Sequence, residues 1–344
     1  MIERKQVVER THQAFHMART LTYLGELKLL NSFTKLFRPW VEVPENHPDK
    51  SLRPFLLKDM EELFRHDAGL FSSGILPLPL LKPESPIEHG KRLARILYTG
   101  VKMSRLRKVR QSKPKIEKPD LPEYFVRNFH WQIDGYLSNE SAAVYDHQVE
   151  ILFTGTAAAM RRLVFSPLSE FLKNFQGKAN LLELASGTGE LSEAVHKAYP
   201  QHHLTVTDLS APYLALAQKR LRGREVDFVR AAAEELPFKD ASQDVIYSVF
   251  LFHELPSEIR EKALAEAFRV LRPGGLFIMV DSIQKDEVPE YAWALEKFPI
   301  DFHEPFYKSY TQWPVEAALT KHHFVDVASK RGFFSKCVWG TKPS

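Results

Sequence analysis

The chain has 344 residues, of which 44% are hydrophobic and 26% charged, and its formal net charge is +4. That balance excludes a disordered, collagen-like or low-complexity protein, and the length fits two domains or one domain with a long extension. The single cysteine, Cys337, excludes an internal disulfide and a cysteine-based zinc site. With no apolar segment of signal-peptide or membrane-span length, we expect a cytoplasmic protein.

The N-terminal third predicts an accessory region of helices over residues 1–120. Its helix-compatible segments are 3–37, 58–64 and 87–107, separated by proline-broken stretches without strand alternation. A basic run at 101–118 holds eight Lys or Arg and one Glu. Because the run has no aromatic residue to stack on bases, it predicts a solvated connector rather than a nucleic-acid-binding surface.

From residue 178 the pattern changes to short apolar runs that alternate with helical segments. This alternation is typical of βα units that build a parallel sheet. The predicted strands are 180–185, 203–207, 226–229, 244–249 and 276–280. Helices are predicted at 190–198 and at 257–271, the second ended by the Pro-Gly-Gly of 273–275. The tail at 324–342 predicts two strands around Arg331 and Gly332, an antiparallel hairpin at the sheet edge.

The strongest chemical signal is the segment ELASGTGELS at 183–192, between a predicted strand and a predicted helix. Gly187 and Gly189 permit a tight turn and the close approach of a ligand. Asp208 comes nineteen residues after Gly189, at the end of the next strand, where a carboxylate accepts both hydroxyls of a ribose. Together they indicate a nucleoside-type cofactor. A dinucleotide oxidoreductase is the rival, but it needs Gly or Ala where this chain has Ser192, and it gives no reason for Glu183.

Five segments resemble, in order and spacing, the motifs of class I S-adenosylmethionine-dependent methyltransferases, most of all the UbiE-like branch. They are ELASGTG at 183–189, VTDLS at 206–210, AAAEELPF at 231–238, DVIYSVFLFHEL at 244–255 and RVLRPGG at 269–275. AAVYDHQ at 142–148 and NFHWQIDGYLS at 128–138 resemble a helix and an added cap that precede the first motif. The resemblance implies an α/β fold with a Rossmann-like seven-stranded, mostly parallel sheet and an antiparallel C-terminal hairpin. It implies a methyltransferase domain at 166–344 and a helical cap over the active site at 121–165.

The resemblance also implies that the cofactor is S-adenosyl-L-methionine. Glu183 and the backbone of 185–189 would hold its methionine part, and Asp208 its ribose. In the family an Asp binds the adenine at the position of Ala232. In this chain the adenine would instead be held by the Ala233 backbone, by apolar packing, or by Glu234 or Arg230. The expected cofactor-binding residues are Glu183, Ala185, Ser186, Gly187, Gly189, Asp208, Leu209, Ala232, Ala233, Glu234 and Phe250.

Methyl transfer is an in-line displacement that requires a positioned acceptor and, where the acceptor bears a proton, a base. The expected catalytic residues follow the fourth and fifth strands or lie in the aromatic segment 298–310, and they are His253, Glu254, Asp281 and His303. His253 is the leading general base because imidazole titrates near neutral pH. The expected substrate-pocket residues are His130, Tyr136, Tyr145, Phe252, Glu304 and Tyr307. The alternative is that these aromatic side chains belong to the core.

The predicted function is methyl transfer to a small-molecule acceptor of aromatic or lipophilic character, without nucleic acid. The fourth strand lacks the NPPY-type loop of nucleobase amino methyltransferases, and the only cysteine lies in the terminal hairpin. His253, Asp281, His303 and Glu304 offer a metal site as an alternative, but they lack ligand spacing on one element, so no metal is expected. A catalytically degenerate methyltransferase fold that binds a partner is the alternative function. The sequence leaves the oligomeric state open.

Overall fold

A computed structural model of the protein describes residues 2–37, 50–81, 85–105, 120–127, 134–302 and 304–344. The strands are β1 (Asn180–Leu184), β2 (His203–Asp208), β3 (Val226–Arg230), β4 (Gln243–Val249), β5 (Leu271–Ser282), β6 (Val325–Gly332) and β7 (Ser335–Thr341). They form one sheet in the order β3-β2-β1-β4-β5-β7-β6. The first five are parallel, and β7 is antiparallel to both of its neighbours. The predicted fold class is confirmed.

Helices precede the sheet in sequence and then alternate with its strands. They are α1 (Ile2–Phe37), α2 (Arg53–Ser72), α3 (Pro86–Arg105), α4 (Asn139–Leu152), α5 (Ala157–Arg161), α6 (Phe165–Asn174), α7 (Glu190–Ala198), α8 (Ala211–Arg220), α9 (Ser257–Val270), α10 (Ala292–Asp301), α11 (Tyr307–Thr311) and α12 (Val315–Lys321). The helical character predicted for the N-terminal third is confirmed where the structure describes it, at 2–37, 50–81 and 85–105. In the described part of the chain, no helix combines the length and apolar character needed to cross a bilayer.

The direction of the strand order changes between β1 and β4. From β1 the chain proceeds outward to β2 and β3, whereas from β4 it proceeds to β5 on the other side. Because the loops after β1 and β4 leave in opposite directions, a crevice opens between them at the carboxyl ends of the strands. The pairing of Leu184 with Ser248 brings these two strand ends level. The fold therefore places the glycine loop, which follows β1, at the edge of a crevice suited to a ligand.

The sheet is covered on both faces. Successive strand residues alternate between two hydrophobic clusters, so that Leu181 packs on one face and Leu182 on the other. The first cluster includes side chains of α2, α6 and α7, and the second includes side chains of α9 and α12. Both flanks of β1 and β4 are thereby shielded from water, which explains the continuous apolar runs that predicted buried strands.

The N-terminal helices share the core of the sheet domain. Leu63 and Phe71 of α2 belong to the same hydrophobic cluster as Leu163, which precedes α6. A buried ion pair reinforces this packing, because Arg162 donates to both oxygens of Asp67 over 2.6 Å each. Burial alone would raise the pKa of Asp67, but Arg162 lowers it well below its usual value. The division of the chain at residue 120 stays a prediction.

The helix before β5 ends one residue before its predicted end, but the strand begins earlier than predicted. α9 ends at Val270, and β5 already begins at Leu271, so the Pro-Gly-Gly segment 273–275 lies inside the strand. The physical reason is a close backbone approach, since a Cβ on Gly275 would lie 3.0 Å from the carbonyl oxygen of Asp244 on β4. The segment lies where the pairing of β4 with β5 is irregular, between the Gln243–Leu271 and Val245–Leu276 pairs.

The predicted position of the C-terminal hairpin was shifted by two residues. Arg331 and Gly332 are the last residues of β6, and the turn is made by the next two residues of the chain. Phe333 takes the left-handed backbone region there, with φ of 58°. Gly332 is instead needed for packing, because a Cβ on it would lie 2.8 Å from a methyl group of Leu163.

Candidate functional site

The loop after β1 turns through left-handed backbone conformations. Ala185, Gly187 and Gly189 have φ of 52°, 57° and 77°. Gly189 is the N-cap residue that precedes α7, and the Ser186 N–H donates to the Thr207 carbonyl over 2.8 Å, which fixes the loop to β2. An added Cβ on Gly187 would meet nothing within 4 Å, because this side of the loop opens on a cavity. The loop is therefore shaped as a cradle whose open side is lined by backbone.

Two contiguous cavities lie along this loop at the carboxyl end of the sheet. The smaller, of about 370 Å³, is lined by Tyr145, Asp146, Arg161, Glu183, Ala185, Ser186, Gly187, Thr188, Glu190, Leu191, Val249 and Phe250. The larger, of about 760 Å³, is lined by Tyr124, Phe125, Tyr136, Tyr145, Ala185, Gly187, Asp208, Leu209, Tyr213, Ala231, Ala232, Ala233, Glu234, Val249, Phe250, Leu251, Glu254 and Leu255.

Glu183 is the carboxylate at the floor of the smaller cavity. It is buried, and it accepts hydrogen bonds from Ser192 Oγ over 2.5 Å and from the Tyr247 hydroxyl over 3.1 Å. Burial raises the pKa of Glu183 to about 7, although both hydrogen bonds act to lower it. A cationic group in the smaller cavity would stabilise its charged form, so Glu183 is suited to an ammonium ligand.

Asp208 lies at the end of β2, on the wall of the larger cavity. Its two oxygens accept the N–H groups of Gly187 and Ser210 over 2.8 and 2.7 Å. Burial raises the pKa of Asp208 to about 6, so the carboxylate is ionised at neutral pH. A carboxylate has about four lone-pair positions, and one bond to each oxygen leaves acceptor capacity for two hydroxyl groups. This geometry fits the predicted ribose-binding role.

Glu234 and Arg230 were both candidates to bind the adenine, and only Glu234 lines the larger cavity. Glu234 lines the cavity; its Oε1 accepts the Tyr124 hydroxyl, and its Oε2 has no hydrogen-bond partner among the described residues. Arg230 lines neither cavity, because its side chain is turned to donate to the Leu209 carbonyl over 3.0 Å. Glu234 is therefore the side chain placed to accept an amino group beside Ala232 and Ala233.

We expect Glu234→Gln to weaken S-adenosylhomocysteine binding by about tenfold, because a hydrogen bond to a charged acceptor contributes about 1.5–3 kcal/mol and the amide keeps part of it. Arg230→Gln is the matched control on the adjacent strand and should leave the affinity unchanged. Calorimetric titration of both variants measures the difference. Equal losses in the two variants, or a loss in Arg230→Gln alone, would contradict this assignment.

His253 and Asp281 form a buried pair where β4 and β5 end. His253 Nδ1 lies 2.6 Å from Asp281 Oδ1, and its backbone N–H donates to the other Asp281 oxygen over 3.2 Å. The second ring nitrogen, Nε2, lies 3.7 Å from Glu254 Oε1. Burial alone would lower the pKa of His253, but the carboxylates of Asp281, Glu254 and Glu304 raise it to about 9. The ring is therefore cationic at pH 7, whereas the sequence had predicted titration near neutrality.

The predicted substrate-pocket residues lie in different places. Tyr136 and Tyr145 line the larger cavity, and the Tyr136 hydroxyl donates to Glu254 over 2.5 Å. Tyr307 is buried beside the His253 ring, with centroids 5.8 Å apart, and Glu304 is buried as well. Phe252 lines neither cavity and packs in the core against Phe277 and Trp313. His130 and His303 lie outside the described residues.

Sequence reasoning missed the charged wall of the smaller cavity. Arg161 of α5 lines it, donates to Glu190 over 2.8 Å and lies 5.8 Å from the Phe250 ring centroid. Asp146 of α4 accepts the hydroxyl of Thr188, a residue of the glycine loop, over 2.6 Å. The sequence AAAMRRL around Arg161 carries no motif, so only the packing of α5 against the loop could have identified it.

The chain is similar in sequence to known methyltransferases. A family described as a methyltransferase domain matches residues 181–275. The ubiquinone/menaquinone biosynthesis C-methyltransferase UbiE of Desulfotalea psychrophila is 30% identical over 41% of this chain and 54% of its own length. The demethylmenaquinone methyltransferase of Thermus thermophilus is 32% identical over 42% and 63%. The chain thus spans about half to two thirds of these relatives. A SAM-dependent methyltransferase structure from Aquifex aeolicus is 19% identical over 51% of this chain and 89% of its own, with a TM-score of 0.38.

The match over 181–275 identifies a methyltransferase domain in this chain, and the strand order and the glycine loop are those expected of class I S-adenosylmethionine-dependent methyltransferases. Over the aligned residues the chain is similar to both quinone-pathway enzymes, at 30% and 32% identity.

Proposed function

We propose that the protein transfers the methyl group of S-adenosyl-L-methionine to a small-molecule acceptor of aromatic or lipophilic character. The observation that carries the proposal is the contiguous pair of cavities with Glu183 at one end, Asp208 on the wall and the open side of Gly187 between them. Glu183 matches a cationic amino group, Asp208 matches a ribose, and the open side of Gly187 lets a cofactor approach the backbone closely.

Different residues of the chain would bind different parts of the cofactor. Glu183 would hold the ammonium of the methionine part, and Asp208 would accept the ribose hydroxyls. Leu209 and Ala233 would pack on the adenine, and Glu234 would accept its amino group. When bound, the cofactor supplies a methyl group on a positively charged sulfur, so the protein has to exclude water and align an acceptor.

The acceptor class is inferred from the remaining wall of the larger cavity. That wall is aromatic and aliphatic, formed by Phe125, Tyr136, Tyr145, Leu251 and Leu255. Planar or lipophilic molecules are the ligands that such walls favour. The names of the relatives, which concern ubiquinone and menaquinone biosynthesis, agree with an acceptor of quinone type.

We further propose a general base made of His253 and an acid. Asp281 accepts the Nδ1 proton of His253 and fixes the ring, so that Nε2 is the nitrogen that exchanges a proton with the acceptor side. Glu254 lines the larger cavity and lies 3.7 Å from Nε2, between the cavity and the ring. An acceptor proton would be taken up at this His253–Glu254 pair while the methyl group is transferred.

The raised pKa of His253 gives the proposal a definite pH dependence. Only the neutral ring accepts a proton, and its fraction grows with pH up to about 9. We therefore expect kcat/KM to rise about tenfold per pH unit from 7 and to level off near 9. His253→Ala should abolish this dependence together with most of the turnover.

Asp281→Asn is the companion variant for the same pH profile. Without the carboxylate, burial dominates and lowers the His253 pKa, so the inflection of kcat/KM should move to lower pH while the plateau rate falls, because the ring loses its orienting partner. A wild-type profile that is flat from pH 7 to 9, or turnover unchanged in His253→Ala, would rule out this base.

The function is tested by incubating the full chain with methyl-labelled S-adenosylmethionine and, in separate reactions, phenolic, quinone-like and thiol acceptors. Formation of S-adenosylhomocysteine together with a labelled acceptor supports the proposal, and Asp208→Ala serves as the control without cofactor binding. If the protein binds S-adenosylhomocysteine but labels none of these acceptors, the alternative of a methyltransferase fold that acts as a binding module is favoured.

A further inference from the structure

We propose that Glu26, His89 and His147 bind one divalent cation of the zinc type, which fastens α1 and α3 to α4. These residues lie outside the cavities of the candidate site, so the inference stands independently of the proposed function. The region to which Glu26 and His89 belong received no role from the sequence.

The three side chains come from three different helices and converge on one point. His147 Nε2 lies 2.8 Å from one oxygen of Glu26, and His89 Nε2 contacts the other oxygen. One ligand atom of each residue lies within 4.8 Å of the other two. Tetrahedral zinc with bonds of about 2.1 Å separates its ligand atoms by about 3.4 Å. A shift of less than an ångström in each side chain would therefore admit the cation.

The donor set is one that zinc uses. Two imidazole nitrogens and one carboxylate bind zinc in several protein sites and leave a fourth position for water. Glu26 and His147 are buried, whereas 22% of the His89 side chain is exposed. The site is thus closed on the protein side and reachable from the solvent past His89.

Two other clusters of this kind occur in the described residues, and each has a different explanation. In the cluster of His12, His16 and Asp67, both carboxylate oxygens already accept the guanidinium of Arg162, which supplies the positive charge. The cluster of His253, Glu254 and Glu304 adjoins the acceptor cavity, and its histidine is paired with Asp281. In the Glu26 cluster the carboxylate contacts His89 and His147, so its partners are themselves side chains that bind metals.

The packing around the cluster shows what a cation would add. Among the side chains that the structure describes, the hydrophobic cluster between α1, α3 and α4 has four buried members, Tyr23, Ile96, Val144 and Ile151. Small apolar cores gain stability from a structural metal, because binding free energy adds to folding free energy. His147 directly follows Tyr145 and Asp146, which line the cofactor cavities. A cation at this site would therefore hold α4 in place over the glycine loop.

The test uses the untagged full chain, stripped with a chelator and then supplied with Zn²⁺ or Co²⁺. We expect one Zn²⁺ per chain by elemental analysis, a visible Co²⁺ absorption typical of four-coordinate sites, and a higher melting temperature with the metal than without it. His89→Gln changes the most exposed ligand and so is least disruptive to folding. It should weaken Zn²⁺ binding by more than about tenfold, since even the loss of an outer partner weakens metal sites by 10–100-fold.

Glu88→Gln is the matched control, because Glu88 is the exposed neighbour of His89 on α3 and its carboxylate pairs with Lys91. The Zn²⁺ affinity of this variant should equal that of the wild type. The proposal is overturned if the folded wild-type chain takes up no stoichiometric Zn²⁺, or if His89→Gln binds Zn²⁺ as tightly as the wild type. Should the variant fail to fold, the Co²⁺ spectrum and the melting temperature of the wild type decide the question on their own.

Discussion

Asp208→Ala is expected to weaken the binding of S-adenosylhomocysteine by about 100-fold or more. Each hydrogen bond from a ribose hydroxyl to the ionised carboxylate contributes about 1.5–3 kcal/mol, and the variant loses two of them. It also loses the acceptor that orients the Gly187 N–H at 2.8 Å, which loosens the glycine loop. Equilibrium dialysis against labelled S-adenosylhomocysteine measures the change in affinity.

Asp227→Ala provides the control for this result. Asp227 lies on the neighbouring β3, is exposed and pairs only with His203 among the recorded contacts. We expect its affinity for S-adenosylhomocysteine to equal that of the wild type. If Asp208→Ala retained the wild-type affinity while folded, the ribose would not be held at β2 and the proposed orientation of the cofactor would be wrong.

Gly189→Ala is expected to lower the free energy of unfolding by about 2–5 kcal/mol. The backbone at Gly189 has φ of 77°, which costs an alanine about 1–2 kcal/mol. The new Cβ would also lie 2.8 Å from the Cβ of Ala217 on α8, and such overpacking costs about 1–3 kcal/mol more. Urea-induced unfolding of the apoprotein measures the loss.

Gly187→Ala tests the contribution of the loop conformation without the steric contact that an alanine at position 189 would make. Its φ of 57° imposes a similar backbone cost, but the added Cβ meets nothing within 4 Å and points to the open side of the loop. We therefore expect a stability loss of only about 1–2 kcal/mol together with weakened S-adenosylhomocysteine binding. Equal stability losses in the two variants, or undiminished binding by Gly187→Ala, would contradict the described geometry.

Local sequence patterns were enough to predict the fold and one wall of the site. The glycine loop and Asp208 lie at strand ends, and strand ends of a parallel sheet meet at one edge, so their spacing predicted their proximity. The same argument predicted that His253 and Asp281 would come together. It did not predict the His253 pKa, because that value depends on Glu254 and Glu304 as well as on burial, and only the packed structure brings these groups together.

The residues of the opposite wall and of the proposed cation site could not be predicted from the sequence, for a different reason. Tyr124 and Arg161 reach the cavities from elements whose positions are set by tertiary packing, without a fixed spacing from any motif. Glu26 lies 63 residues from His89 and 121 from His147, so no ligand spacing marked the cluster.

The most direct test of the central claim is a calorimetric titration of the wild-type chain with S-adenosylhomocysteine, with NAD as the control ligand. We predict saturable binding of one S-adenosylhomocysteine per chain and no heat with NAD, because Glu183 and Asp208 match an amino acid joined to a nucleoside. A folded protein that binds no S-adenosylhomocysteine, or that binds NAD instead, would contradict the assignment of the cavities to this cofactor.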